Sequence, residues 1–315
     1  MEVAARPAGH VEGPADTEKE TRVMNVASIR CLCFLAAVIA TLAISPVVNG
    51  QRNFDNTEIT ATQLDDNLYY LQGEGGQIGV LAGPDGVLMV DTQFAPLTDR
   101  IVAAIREIST EPIKFALNTH EHGDHSGGNA KLTAMGVTVM VRDELRAALA
   151  GAENPPGRLP MVTYDGPVTF HMNGETVRAI PVPVAHTNGD TMVYFENADV
   201  LMPGDFYRSE GYPNIAIQNG GTLEGMLAGL GRVIGNAGPD TRILPGHGPI
   251  VGRDDVRAQR DLMLVLMGQV QERLDQGMTE DQILAAGLTN VFDSQVRNPG
   301  TTNERFIRQL VQELR

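Results

Sequence analysis

The sequence predicts an α/β domain in which helices cover β-sheets. Short apolar runs enriched in β-branched residues alternate with segments whose apolar residues recur three and four positions apart, the pattern of strands alternating with amphipathic helices. This alternation occurs in the first half of the chain and again in the second half. A chain of 315 residues with 42% hydrophobic residues can bury a large core, so we expect one domain with appendages.

In the first half, strand-like segments precede the first helix-like segment. Residues 77–82 and 87–90 flank Gly83-Pro84-Asp85-Gly86, which predicts a β-hairpin. Residues 96–108 show helical spacing with a proline near the start, where helices tolerate it. The other elements predicted in this half are strands at 58–63, 67–71, 113–117 and 137–141, and helices at 128–135 and 143–150.

The second half repeats the pattern and ends in helices. Its predicted elements are strands at 168–172, 176–184, 192–196, 199–202 and 242–244, and a helix at 222–234. Residues 253–315 are predicted to form a C-terminal helical extension, with helices at 256–274, 279–286 and 303–314. Residues 152–164 are polar and proline-rich, which is typical both of an ordinary surface loop and of a loop that forms a wall of a substrate entrance.

The N-terminal part has a composition unlike that of the rest. Residues 1–23 are polar without apolar periodicity, and we interpret them as disordered or as a non-native extension. Residues 24–50 combine the lone cation Arg30 with an apolar run at 31–44, which predicts a signal peptide translated from the methionine that opens it. The alternative is an uncleaved membrane anchor, but the run is short for spanning a bilayer and Pro46 interrupts it. We therefore expect export to the periplasm or the medium.

Cysteine usage and charge restrict the possible partners. Cys31 and Cys33 both lie in the predicted signal peptide, so the exported chain would have neither a disulfide nor a thiolate ligand. The formal net charge of −15 opposes binding to nucleic acid and to anionic membranes, because neutralising phosphates requires clustered Lys and Arg. We expect a small-molecule substrate and no membrane association after cleavage; the sequence leaves the oligomeric state open.

Three histidines and an aspartate lie within six residues: His120, His122, Asp124 and His125. They follow the strand-like run 113–117, so the cluster is placed where a buried strand ends. His120 and His122 are two residues apart, so their side chains leave the same face of an extended chain and can share one metal ion. The glycine after His122 permits a turn that directs Asp124 and His125 to a neighbouring position. Imidazole and carboxylate donors suit zinc, with iron or manganese as lesser possibilities.

Two more histidines and one more aspartate occur downstream in loop-like contexts. His186 and His247 lie near glycines, and Asp205 comes soon after the strand-like run 199–202. The remaining histidines are His10, in the N-terminal tail, and His171, in a strand-like run, and we do not expect either to bind metal.

The ordered set H-x-H-x-D-H, His186, Asp205 and His247 resembles the metallo-β-lactamase-fold hydrolase superfamily. The intervals from His125 onward, of 61, 19 and 42 residues, fit that family as well. The resemblance implies a four-layer αββα sandwich over residues 51–252, with the metal site at one edge between the two sheets. The helical extension would then pack on this sandwich.

In the hydrolases that this chain resembles, two zinc ions are held by seven side chains. The ligands implied are, for one ion, His120, His122 and His186, and for the second ion Asp124, His125 and His247, with Asp205 bridging them. A hydroxide between the ions would attack the carbonyl carbon of an ester, lactone, thioester or amide. Asp124 would orient this nucleophile and shuttle its proton.

Five further residues are candidates for supporting roles. By resemblance, Asp91 would support the metal loop; capping the end of the preceding strand is the alternative. Asp190 would orient the His186 imidazole or simply form part of a turn. Three residues after the bridging aspartate would reach a carboxylate or ring of the substrate or else lie on the surface: Tyr207, Arg208 and Tyr212.

Two positions narrow the function that the resemblance implies. Diiron electron-transfer members of the fold typically have glutamate where this chain has His122, which opposes the alternative of a non-hydrolytic diiron redox protein. Many zinc β-lactamases have cysteine at the position of Asp205. This difference favours an ester, lactone or thioester hydrolase over the alternative of a dedicated metallo-β-lactamase that opens β-lactam antibiotics. The glutathione contacts of glyoxalase II cannot be located in the sequence.

Overall fold

The computed structural model describes residues 52–152 and 159–315, which form two β-sheets with helices on their outer faces. The first sheet has seven strands in the order β1-β2-β3-β4-β5-β6-β7. Their bounds are β1 (Thr60–Asp65), β2 (Leu68–Gln72), β3 (Ile78–Gly83), β4 (Gly86–Val90), β5 (Ile113–Leu117), β6 (Thr138–Arg142) and β7 (Val162–Tyr164). Strands β1 to β4 are antiparallel, and β4 to β7 are parallel.

The second sheet has five strands in the order β12-β11-β10-β9-β8. Their bounds are β8 (Val168–Met172), β9 (Glu175–Pro181), β10 (Thr191–Phe195), β11 (Val200–Gly204) and β12 (Arg242–Pro245). Only the β11–β12 pair of this sheet is parallel, because helix α5 (Leu223–Asn236) connects these two strands. Such a crossover brings the carboxyl ends of β11 and β12 to the same sheet edge.

Helices of the first half cover the outer face of the first sheet. They are α1 (Thr98–Ile108), which follows a 3₁₀ turn at Ala95–Leu97, then α2 (Gly123–Ser126), α3 (Asn129–Ala134) and α4 (Asp143–Gly151). On β3 and β4, alternate side chains such as Val80 and Met89 pack toward these helices. Their neighbours Leu81 and Leu88 instead pack against the second sheet. A strand buried on both faces reads as a continuous apolar run, as these two do.

The outer face of the second sheet is covered by α5 and by the C-terminal helices. The latter are α6 (Arg253–Asp275), α7 (Glu280–Ala285) and α8 (Thr302–Leu314). One hydrophobic cluster joins Ile180 and Leu201 of the sheet to Met226 of α5, Leu266 of α6 and Leu310 of α8. The architecture is therefore helix, sheet, sheet, helix, and the αββα prediction is confirmed.

Apart from shifts of up to three residues at the boundaries and short helical segments such as α2 in the predicted metal loop, the structure differs from the predicted elements in two places. The segment 152–164 contains a strand, β7, at the edge of the first sheet; three residues are too few to show an alternating pattern. The strand predicted at 176–184 ends at Pro181, and Pro183 follows. Neither proline has an N–H to donate to a sheet ladder, so the chain leaves the sheet there.

Several expectations fall on residues outside the described ranges. The N-terminal extension and the predicted signal peptide do so entirely, as do residues 153–158 of the proline-rich segment. Within the described ranges, no helix combines the length and the apolar character needed to cross a lipid bilayer.

Candidate metal centre

The seven predicted ligands extend from loops that follow strands of both sheets. His120 and His122 come after β5, and α2 then carries Asp124 and His125. His186 lies between β9 and β10 in the second sheet. The remaining two ligands come after the parallel strands of the second sheet. Asp205 directly follows β11, and His247 comes two residues after β12. Edges of the two sheets thus deliver all seven side chains to one cluster.

Three imidazole nitrogens face one another in the first part of the cluster. The His122 Nδ1 atom lies 3.1 Å from His120 Nε2 and 3.0 Å from His186 Nε2. One hydrogen atom could serve at most one of these short contacts. Both His120 and His186 are fully buried, so water cannot relieve the crowding of the three nitrogens.

The opposite nitrogen of each ring determines which tautomer is present. His186 Nδ1 donates to the Asn214 carbonyl at 2.7 Å, and His122 Nε2 lies 3.3 Å from Asn219 Oδ1. His120 Nδ1 lies 3.1 Å from the Thr119 hydroxyl oxygen. A neutral imidazole that donates from one nitrogen presents a lone pair at the other. In the tautomers that these partners favour, the lone pairs of the three rings point to one place.

The second part of the cluster contains a carboxylate and two imidazoles. Asp124 Oδ2 lies 3.2 Å from His247 Nε2, and His125 Nε2 lies 3.4 Å from the same His247 nitrogen. Unlike the buried His125, the side chains of His247 and Asp124 are 17% and 26% exposed. The cluster is therefore open to solvent on the side of these two residues.

Asp205 lies between the two parts. Its Oδ1 atom is 3.2 Å from His125 Nε2 and 3.5 Å from His247 Nε2, and its Oδ2 atom is 3.8 Å from His186 Nε2. The buried Oδ1 atom has no hydrogen-bond partner among the described residues. A buried carboxylate oxygen without a donor is costly unless a cation is nearby. The two oxygens thus face different halves of the cluster, as a bridging ligand requires.

The electrostatics of the cluster favour cation binding. Burial, followed by the neighbouring imidazoles of His125 and His186, holds the pKa of His120 well below its usual range. Burial likewise lowers the pKa of His186 to about 4. Burial alone would raise the pKa of Asp205, but the imidazoles of His125 and His247 hold it well below its usual range. Neutral imidazoles and an ionised carboxylate are the protonation states that bind metal, so the residues fit a divalent cation.

The second carboxylate of the cluster, Asp124, is also ionised at neutral pH. Burial opposes its ionisation, but the hydrogen bond with His247 and the charge of His125 lower its pKa to about 2. For His125, burial opposes protonation, whereas the carboxylates of Asp205 and Asp91 raise its pKa well above the usual value. A cation beside the His125 Nε2 atom would compete with this proton.

Asp91, which directly follows β4, contacts two residues of the metal loop. It accepts hydrogen bonds from the Thr119 N–H at 2.7 Å and from the Thr119 hydroxyl at 2.8 Å. The His125 Nδ1 atom lies 2.8 Å from Asp91 Oδ2. Asp91 is buried, so these contacts fix the His125 ring with its Nε2 atom toward the cluster.

Asp190 does not contact the His186 ring, so its predicted role in orienting that imidazole is wrong and its role in a turn remains. Its oxygens accept hydrogen bonds from the Thr187 N–H at 2.9 Å and the Thr187 hydroxyl at 2.7 Å. The His186 ring is instead oriented by the Asn214 carbonyl. Asp190 therefore stabilises the turn after His186, and its burial raises its pKa to about 7.

Tyr207 and Tyr212 are buried in the hydrophobic cluster of the second sheet, so the expectation that they reach a substrate is wrong. The Tyr212 hydroxyl donates to Asp293 Oδ1 at 2.7 Å, close to the C-terminal helices. Arg208, in contrast, lies beside the centre, with its Nη1 atom 3.4 Å from Asp205 Oδ2. His171 lies on β8 and contacts Thr176, outside the candidate metal-binding groups of the described residues.

The part of the sequence that forms this site matches a known protein family. Residues 71–248, more than half of the chain, match the metallo-β-lactamase superfamily. The chain belongs to the metallo-β-lactamase superfamily. The matched range contains all seven clustered ligands and ends before α6, so the C-terminal helices lie outside it.

This superfamily member is similar in sequence to several named proteins. The chain is 27% identical over 245 residues to an atrochrysone carboxyl ACP thioesterase of Aspergillus terreus, and the match covers 72% of this chain and 70% of that protein. It is 32% identical over 146 residues to a hydroxyacylglutathione hydrolase of Methylococcus capsulatus, covering 45% and 48% of the two chains. A lactamase-like protein, nscB, of Neosartorya fischeri is 28% identical over 185 residues, or 58% of this chain. This match spans about half the length of the relative.

Solved structures of metallo-β-lactamases share the fold. A metallo-β-lactamase from Pontibacter korlensis superposes with a TM-score of 0.58 at 20% identity, covering 66% of this chain and 99% of the other. The DIM-1 metallo-β-lactamase gives a TM-score of 0.58 at 16% identity, with 66% and 98% coverage. These likenesses show the fold of this superfamily member.

In this metallo-β-lactamase superfamily member, two residues that orient the candidate ligands could not be predicted because they are distant in the sequence. Asn219 contacts His122 across 97 positions of the chain, and Asn214 contacts His186 across 28. Nothing in their local sequence distinguishes them from loop residues. Thr119 was the one partner that could have been noticed, because a hydroxyl directly before His120 is placed to hydrogen-bond that ring.

Proposed function

We propose that the chain is an exported dinuclear zinc hydrolase that cleaves a carboxylic-acid derivative, namely an ester, lactone, thioester or amide. Its membership in a superfamily of metallo-hydrolases provides the general chemistry. The proposal of two metal ions rests on one observation. The imidazole and carboxylate ligand atoms form two adjoining groups, and Asp205 lies between them. A donor set of imidazoles and carboxylates, without a thiolate, suits zinc.

The thioester class receives support from two relatives. One is named as an ACP thioesterase and the other as a hydroxyacylglutathione hydrolase, and both names describe acyl transfer to water. A dedicated metallo-β-lactamase remains the competing proposal, since the solved structures with this fold carry that name. The presence of His122 among the convergent imidazoles opposes the third candidate, a diiron redox protein.

His120, His122 and His186 would hold one zinc ion, and Asp124, His125 and His247 the other, with Asp205 shared. When bound, zinc ions lower the pKa of water and polarise a carbonyl oxygen. The chain itself contributes orientation and proton transfer. Asp124, ionised and partly exposed, would orient the attacking water by accepting its hydrogen bond and would pass on the proton released.

The rest of the protein restricts what reaches this site. His120, His125 and His186 are fully buried, so solvent and substrate approach from the sides of the partly exposed His122, Asp124 and His247. The net charge of −15 opposes nucleic-acid substrates, which supports a small-molecule substrate.

Export is proposed because an apolar run follows Arg30, as in a signal peptide. Cell fractionation and mass measurement of the N-terminus test this proposal. An exported chain that retains residues 24–50 would overturn the predicted cleavage.

The experiment that tests the catalytic proposal is turnover by the purified zinc-loaded protein. A phenyl thioester, a lactone, a penicillin and a carbapenem are compared, each with and without a chelator, and metal content is measured in parallel. We expect about two zinc ions per chain and chelator-sensitive hydrolysis with preference for the thioester or lactone. Much faster β-lactam opening would establish the competing lactamase proposal. Bound iron with visible absorption and no hydrolysis would overturn both.

A further inference from the structure

The guanidinium of Arg208 lies beside Asp205, and that of Arg305 lies close enough to feel the charges of both residues. Arg208 follows Asp205 by three residues and places its Nη1 atom 3.4 Å from Asp205 Oδ2. Arg305 belongs to α8 in the C-terminal extension, and its Nη2 atom donates to the Tyr212 carbonyl at 3.2 Å. Both are outside the seven ligands, and Arg305 lies beyond the range that matches the superfamily.

The positive charge of these two groups is incompletely balanced. Among residues 52–152 and 159–315, Asp205 is the only carboxylate within 4 Å of Arg208, and no carboxylate lies within that distance of Arg305. The Arg305 Nε atom is buried and has no hydrogen-bond partner in the same ranges. The Asp205 carboxylate also faces His125, His186 and His247. A single carboxylate cannot neutralise two guanidinium groups.

The electrostatic environment of Arg305 reflects this arrangement. Burial lowers the pKa of Arg305, the neighbouring Arg208 lowers it further, and Asp205 partly opposes the effect. Two like charges in a half-buried place repel each other more strongly than in water. An oxyanion between or beside them would remove the repulsion and supply the missing hydrogen-bond acceptor.

A cavity of about 340 Å³ extends from Arg305 to one of the candidate metal ligands, His122. Its wall includes His122 on one side and Arg305, Gln309 and Gln312 of α8 on another, with the 214–219 loop between them. The wall thus joins a ligand of the candidate centre to the C-terminal helix. A molecule in this cavity would contact both the His122 side chain and the guanidinium of α8.

Side chains of α8 hold that helix in a fixed position against the site. Gln309 donates to Asn214 Oδ1 at 2.9 Å and accepts from the Ile215 N–H at 3.0 Å. Glu313 accepts from the Leu223 N–H at the start of α5 at 2.7 Å. Arg305 is therefore carried by an element that is anchored to the same loop that contains Asn219, the partner of His122. A binding group on a rigid element loses little entropy when a ligand arrives.

We propose that Arg305 binds an acidic group of the substrate, a carboxylate or a phosphate, in the cavity between His122 and α8, and that the positive charge of the neighbouring Arg208 strengthens this attraction. This inference rests on the proposed hydrolytic function and names the substrate class. The planar guanidinium fork matches the paired oxygens of either group. The acyl compound cleaved at the centre thus carries an oxyanion away from the scissile carbonyl, and the C-terminal extension recognises it.

The test compares three matched thioesters with the zinc-loaded full chain: S-phenyl monothioglutarate, its ω-methyl ester, and the analogue that has a phosphonate in place of the carboxylate. We expect both anionic compounds to be hydrolysed more efficiently than the methyl ester, and the better of the two identifies the group. Arg305→Gln should lower kcat/KM about 10- to 100-fold for that anionic compound, mainly through KM, and leave the methyl ester nearly unchanged.

Two more variants separate recognition from a structural role. Arg305→Lys keeps the charge but loses the fork, so we expect a smaller loss for the anionic compound; this variant carries the test if Arg305→Gln does not fold. Arg308→Gln changes an exposed arginine of the same helix and should leave both substrates unaffected. An equal loss for the charged and the neutral thioester, with or without a lower melting temperature, would overturn the proposal.

A binding measurement keeps this inference distinct from the proposed reaction. Titration calorimetry of glutarate into the zinc-loaded protein should give an affinity about 10-fold or more higher for the wild-type chain than for Arg305→Gln. If none of the thioesters is hydrolysed but this difference appears, the acidic subsite stands and the proposed reaction is wrong. Equal glutarate affinity of the two proteins would overturn the subsite itself.

Discussion

Asp91 combines an unfavourable backbone conformation with three hydrogen bonds at the metal loop. Its φ angle is +66°, in the left-handed region that residues other than glycine seldom adopt, and Gln93 two positions later has a φ of +49°. Such a conformation costs roughly 1–3 kcal/mol and persists only where the surroundings enforce it. Here the Thr119 N–H and hydroxyl and the His125 ring all point to the Asp91 carboxylate. The strain is thus tied to the orientation of His125, a predicted metal ligand.

We expect Asp91→Asn to weaken zinc binding about 10- to 100-fold while the fold survives. Asparagine tolerates a positive φ, but its NH₂ group cannot accept the hydrogen bond from His125 or from the Thr119 hydroxyl. Competition with a chromophoric chelator measures the affinity. Asp199→Asn is a matched control, because Asp199 also has a positive φ, of +51°. It lies directly before β11, at the opposite end of that strand from Asp205 and the metal centre. Unchanged zinc affinity in Asp91→Asn would contradict the role given to its carboxylate.

Asp190 makes stability depend on pH because burial raises its pKa from 3.8 to about 7. Between these values the folded chain keeps a proton that the unfolded chain has lost, so stability falls as pH rises through this window. The shift corresponds to at most about 4 kcal/mol. Asp190→Asn cannot ionise, so its stability relative to wild type should increase between about pH 4 and pH 7.

Urea unfolding at a series of pH values measures this difference. The exposed Asp240→Asn variant serves as the control and should follow wild type throughout. A constant offset between Asp190→Asn and wild type from pH 4 to pH 8 would show that Asp190 titrates normally.

At the scale of elements, helix α5 lies directly on the backbone of the chain that leads to His186. A Cβ atom built on Gly225 would lie 1.3 Å from the Val184 carbonyl oxygen. Thr222 caps the helix by accepting from the Gly225 N–H at 3.0 Å, and its hydroxyl donates to the same Val184 oxygen at 2.8 Å. The start of α5 and the His186 loop are thereby held at a fixed separation.

We expect Gly225→Ala to destabilise the fold by about 3 kcal/mol, because the added methyl group meets backbone that cannot move aside freely. It should also reduce metal occupancy, since the displaced segment carries His186. Gly231→Ala and Gly235→Ala are controls in the same helix, where an added Cβ meets nothing within 4 Å. They should stabilise the protein by about 0.5–1 kcal/mol. Thermal or urea unfolding distinguishes these outcomes, and a neutral Gly225→Ala would show that the close approach is relaxed in solution.

The elements that could be predicted from the sequence are those whose apolar pattern is long and local. The strand at Ile113–Leu117 and the helices α1, α5 and α8 follow from runs or from helical spacing. The three-residue strand β7 could not be predicted, because it is defined by pairing with β6 rather than by its own pattern. Strand β9 ended early because of its prolines.

The same distinction holds for the site. The ligands are recognisable because four of them lie within six residues and the others have distinctive glycine or strand-end contexts. Arg305 and Asn219 are not recognisable, because each acts on residues about a hundred positions away in the chain. Tyr212 was misassigned because sequence proximity to Asp205 does not reveal that its side chain turns into the helical core. Such contacts depend on tertiary packing, which no local pattern encodes.

At the scale of the whole molecule, the C-terminal helices belong to the main core. Phe306, Ile307, Leu310 and Val311 of α8 are buried in the same hydrophobic cluster as the outer face of the second sheet. Hydrogen bonds from Gln309 and to Glu313 join the helix to the site loop and to α5. The helices thus complete the fourth layer of the sandwich.

We therefore expect Leu310→Ala to destabilise the whole domain by about 2–5 kcal/mol, in one cooperative transition. Leu310 is fully buried, whereas Gln312 on the same helix is exposed, and Gln312→Ala should have little effect. Calorimetry and urea unfolding measure both variants. A separate low-temperature transition in Leu310→Ala would show instead that the helices fold as an independent unit.

The distribution of the ligands over both sheets also has a kinetic consequence. His122 and His186 meet although 64 residues separate them, and they belong to different halves of the sandwich. A refolding chain can therefore present the full set of imidazoles only after the two halves have docked. Because the chain has no tryptophan, intrinsic fluorescence reports this event poorly. The disappearance of free zinc, followed with a rapid-mixing dye, would instead time the closing of the sandwich.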